Sequence, residues 1–84
     1  MGIKDITVHY KVKEVMQEKG FTVEELIAKC RNIKYKDIEI TKDTINMLVN
    51  NEPEAQNILF SVIIIIAIAL KVDEQDLFEA IALP

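Results

Sequence analysis

Cysteine, glycine, proline and positive charge are all scarce in this chain. A single cysteine, Cys30, excludes an internal disulfide. Two glycines and two prolines in 84 residues leave few places for turns, which argues against a loop-rich or disordered chain and for helix. Ten Lys/Arg against fourteen Asp/Glu set a net charge of -4, the wrong sign for a chain that binds polyanions by bulk charge. The opening residues lack the charged-then-apolar pattern of a secretory leader, so the cytoplasm is the expected address. No phosphate-cradling glycine loop, metal-ligand spacing or Ser-His-Asp order is present. Neither an enzyme, a cofactor, a metal nor a small-molecule substrate is therefore expected.

What the chain does have is apolar residues, which make up half of it. That is enough for one core, and residues 1–84 are expected to form one helical domain, with 1–10 as an N-terminal arm or strand and 11–78 as the core. The run Ile58–Leu70 is 13 residues long and closely flanked by Glu52, Glu54, Lys71 and Asp73. A membrane span needs roughly 18 to 20, so the run reads as a buried helix and no membrane partner is expected. Charge is unevenly spread. Residues 1–42 hold nine Lys/Arg and seven Asp/Glu, whereas 43–84 hold one Lys and seven Asp/Glu, leaving room for a basic face on an acidic protein.

Ile6, Val8 and Tyr10 alternate with polar neighbours, the period of a half-buried strand, before Val12, Val15 and Met16 take up helical spacing. Gly20 then predicts the end of helix one. Thr22 and Glu25 form a capping box, and Phe21 can staple onto Leu26, so helix two starts here and runs to about Arg31 with Leu26, Ile27 and Cys30 inward. Between Asn32 and Ile40 the mixture of β-branched and charged residues reads as a loop or a short strand able to pair with Ile6–Tyr10. Thr41 caps a third helix reaching Asn51, with Ile45, Leu48 and Val49 buried. After the break at Asn50-Asn51-Glu52-Pro53, a fourth helix is predicted from about Glu54 to Lys71. Asp73 then caps a fifth, with Leu77, Phe78 and Ile81 inward.

Three pieces, VKEVMQEKGFTVEELIAK, ITKDTINMLVNNE and ALKVDEQDLF, occur in this order between Lys11 and Phe78. Together they resemble the Cro/C1-type (lambda repressor-like) helix-turn-helix family. The resemblance implies an all-α, five-helix domain, here with a short N-terminal β-strand, acting as a dimeric, sequence-specific DNA-binding transcriptional regulator. It implies that helix three enters the major groove of double-stranded DNA. Thr41, Lys42, Asp43, Thr44, Asn46 and Met47 then take the reading positions, Asn46 suited to adenine and Lys42 to guanine or a phosphate. Lys29, Arg31, Lys34 and Lys36 become phosphate contacts. The chain departs from the family pattern in three side chains: Ile27 stands where a small residue is usual, the turn after helix two has no glycine, and no glutamine stands near Val23. Its connection from helix two to helix three is also longer.

Helix four is apolar on every side. With Phe60, Ile63, Ile64, Ala67 and Leu70 assigned to the core, a second stripe of Ile58, Val62, Ile65, Ile68 and Val72 is left to a partner. A homodimer is the expected way to cover it. His9 has no companion ligands and reads as a surface histidine, Cys30 as a packed thiol, and the pairs Glu24-Glu25 and Asp73-Glu74 as carboxylates favoured in helix first turns. The acidic total charge and the apolar fourth helix keep a second reading open, a protein-interaction module on the same scaffold that has given up DNA.

Overall fold

The computed structural model describes residues 6–35 and 37–82. It is mostly helical: β1 (Ile6–Tyr10), α1 (Val12–Lys19), α2 (Val23–Arg31), α3 (Lys42–Val49), a 3-10 turn (Pro53–Asn57), α4 (Phe60–Leu70), a second 3-10 turn (Glu74–Leu77) and β2 (Phe78–Ala82).

Local chemistry sets the end of α1 and the starts of α2 and α3. Gly20 closes α1 at φ 76, and the Phe21 N–H reaches back to the Met16 carbonyl at 2.9 Å. Thr22 Oγ1 accepts the Glu25 N–H at 3.1 Å while Glu25 Oε1 accepts the Thr22 N–H at 2.9 Å, completing the capping box of α2. Thr41 Oγ1 accepts the Thr44 N–H at 3.3 Å and caps α3. Asn51, left-handed at φ 51, turns the chain away after it.

The strand at the start of the chain pairs with the end of the described chain, not with residues 32–40. β1 and β2 run antiparallel with Val8 opposite Ala80 and Tyr10 opposite Phe78. An isolated two-stranded ribbon is marginal in water, and here side-chain amides serve as a substitute third strand. Gln56 accepts the Val8 N–H at 3.0 Å and donates to the Val8 carbonyl at 2.8 Å. Asn51 does the same for Tyr10 at 2.7 and 2.8 Å.

This ribbon corrects two expectations. The predicted fourth helix, Glu54–Lys71, is split: the Tyr10 hydroxyl donates to the Ala55 carbonyl at 3.0 Å and Gln56 holds Val8, so residues 53–57 stay in a tight 3-10 turn. Ile58 and Leu59 are extended, and α4 begins only at Phe60. The predicted fifth helix is one 3-10 turn followed by a strand, because Asp73 makes no side-chain cap and β1 takes Phe78–Ala82 as its partner. The described residues therefore hold four α-helices and a strand pair instead of five helices.

Leu26, Ile45, Leu48, Ile65, Ile66, Leu70, Leu77 and Val12 are fully buried and form the centre of the core. Burying each such side chain is worth about 1.5–3 kcal/mol. Cys30 lies inward as expected, its thiol pushed up to about 11 by burial. The stripe assigned to a partner is corrected: Val62 (8% exposed) and Ile65 (1%) belong to the chain's own core, Ile58 and Val72 are half-buried, and only Ile68 (51%) is exposed. Phe60, expected inside, is 52% exposed and leans edge-on against Phe78 with ring centroids 6.1 Å apart. Phe60, half-buried Ile64 and Ile68 stand four residues apart and so share one outer face of α4. No helix among the described residues is long and apolar enough to cross a membrane.

Candidate nucleic-acid interface

Helix α3 is held by its inner side, Ile45 and Leu48, neither of which is exposed to solvent. A short helix anchored on this side directs its start and its other side away from the core. Thr41, Lys42 and Asp43 are exposed at its start, and Thr44, Asn46 and Met47 are half-exposed further along. The two threonines are partly occupied with each other, their hydroxyl oxygens 3.2 Å apart. Met47 packs partly against the core.

Lys42 does not stand alone. Its ammonium lies 3.2 Å from Glu24 Oε2, so the first turns of α2 and α3 meet through an exposed ion pair. The Glu24 carboxyl is held below the usual carboxylate range, first by its own backbone N–H in the helix first turn and then by Lys42. With Asp43 next to it, the exposed start of α3 offers a donor and acceptors side by side, not a uniformly basic surface.

The other basic residues sit elsewhere on α2 and the connection. Lys29 Nζ lies 5.7 Å from the centre of the Phe21 ring, over its face. Lys29 also lines a shallow groove with Asn32, Ile33, Ile68 and Lys71. Arg31 and Lys34 are exposed, and Lys36 lies outside the described residues. Two residues missed by sequence reasoning join the candidate surface. The sequence marks Glu24 only as a carboxylate suited to a helix first turn, yet it pairs with Lys42, and Lys71, the one cation of residues 43–84, lines the same groove as Lys29. No periodicity or motif signals either, because both placements are made by the tertiary fold.

His9 Nε2 is 4.0 Å from Glu14 Oε2 at the surface, and among the described residues no cluster of three or more His, Cys, Asp or Glu could hold a metal.

Compared with known proteins, residues 11–82 match the family model described as the Cro/C1-type HTH DNA-binding domain. No curated protein and no solved structure matches the chain.

Proposed function

The chain belongs to the Cro/C1-type helix-turn-helix DNA-binding domain family, and from that premise we propose that residues 1–84 act as one sequence-specific, homodimeric regulator of transcription in the cytoplasm. The observation that carries this reading is α3 itself, anchored by Ile45 and Leu48 with Lys42, Asp43 and Asn46 at its outer side. Such a helix can lie in a major groove with its N-terminal half toward the base edges.

In this reading Lys42 donates to guanine or to a phosphate, and Asn46 makes a paired contact with adenine. Thr41, Asp43, Thr44 and Met47 complete the surface that meets the groove. Lys29, Arg31, Lys34 and Lys36 contact phosphates, and Lys71 joins them through its place beside Lys29. The function is recognition, with no bond made or broken.

The second subunit docks on the outer face of α4. Phe60, Ile64 and Ile68 there support self-association in place of the stripe first expected, since exposed Phe60 and Ile68, with half-buried Ile64 between them, forgo burial when left in water. Two copies would place their half-sites about 34–36 Å apart, one helical turn of DNA.

Lys42→Ala and Asn46→Ala test the reading. Each is expected to weaken binding to a selected duplex while leaving the thermal midpoint nearly unchanged. Unchanged affinity in both variants would overturn the placement of α3 in the groove.

A further inference from the structure

The ion pair between Glu24 and Lys42 joins two helices at the point that the proposed function places in the major groove. Both side chains are exposed, and the ammonium and carboxylate oxygen are 3.2 Å apart. A surface ion pair of this kind adds little to stability. Its geometry matters more: a hydrogen-bond donor and an acceptor are held next to each other and face outward.

A G·C base pair shows the complement of this arrangement. Its major-groove edge carries guanine N7 and O6 as acceptors and cytosine N4 as a donor, and O6 and N4 are themselves joined by a hydrogen bond of about 2.9 Å. We propose, resting on the DNA-binding reading above, that Glu24 is a specificity-determining residue which reads one G·C pair together with Lys42. Lys42 donates to guanine O6 and N7, and Glu24 accepts from cytosine N4.

The carboxylate fixes the orientation of the pair. Reversed to C·G, the site sets Glu24 against guanine acceptors and Lys42 against a cytosine donor, both repulsive. A T·A pair offers an acceptor and a donor in the right order, but thymine's methyl group stands where guanine offers N7. Glu24 also repels phosphates, so it lowers affinity for random sequence while raising discrimination.

The test begins with selection of duplexes from a random pool by the unaltered protein, followed by base-pair substitution at every position of the selected site. One G·C pair per half-site is expected whose reversal weakens binding at least about fivefold. In Glu24→Gln, whose amide can both donate and accept, that penalty should shrink to the part that Lys42 alone supplies while penalties elsewhere persist, and affinity for random duplex should rise. The same penalty in both proteins, or loss of all binding in Glu24→Gln with the fold intact by thermal melting, would overturn the inference. Failure of the unaltered protein to bind or select any duplex would overturn the DNA-binding reading instead, before any variant is made.

Discussion

Asn51 and Tyr10 exchange two hydrogen bonds across 41 positions of sequence, the Asn51 amide accepting the Tyr10 N–H at 2.7 Å and donating to its carbonyl at 2.8 Å. The same asparagine sits at φ 51, where it turns the chain out of α3. One residue thus joins the edge of the strand ribbon to the end of the candidate recognition helix.

Asn51→Ala should therefore destabilise the fold by about 2–4 kcal/mol, combining two lost bonds with a left-handed backbone that alanine resists. Asn51→Gly, free of the backbone strain, should recover about 1 kcal/mol of that. Urea unfolding of the two variants measures the difference, and stability of Asn51→Ala equal to that of the unaltered chain would contradict the role assigned to the amide.

The two sides of α4 should respond in opposite ways. Ile65→Ala, in the core, should cost about 2–5 kcal/mol. Ile68→Glu, on the exposed face, should leave the monomer's stability within about 1 kcal/mol and lower the mass in solution from that of a dimer. A dimer that survives both Ile68→Glu and Phe60→Glu would place the contact elsewhere.

Cys30 sets an alkaline limit. Burial disfavours its thiolate, so the folded chain keeps the thiol proton to about 11 while the unfolded chain releases it near 9.0. The folded pKa is raised, so its contribution is fully present below pH 9.0 and lost as pH climbs through that window. Native Cys30 should react slowly with a thiol reagent near neutral pH and rapidly in denaturant. Fast reaction of the native protein would show that Cys30 is not shielded as described.

The parts legible in the sequence are those whose signals lie within a few residues. Gly20, the Thr22/Glu25 capping box and Thr41 mark α1, α2 and α3 with little error. The start of α4 depends on Gln56 and Ala55 meeting Val8 and Tyr10, and β2 exists because β1 needs a partner. Those contacts override the local helix signal at Asp73. A helix apolar all round also has no period to say which side faces out, which is why the sequence alone leaves Val62 and Ile65 to a partner and places Phe60 in the core. At the candidate interface the exposure of Lys42 was legible, but its partner Glu24 was not, since nothing local links the first turns of α2 and α3.

Fluorescence anisotropy of a labelled random-sequence duplex, titrated with the protein at several salt concentrations alongside a mass determination, tests the central claim most directly. Binding by a dimer that falls steeply with salt is predicted, with a log–log slope on the order of -9 for five phosphate contacts per subunit. Absence of binding even at low salt would contradict the claim and point to a protein partner for this scaffold.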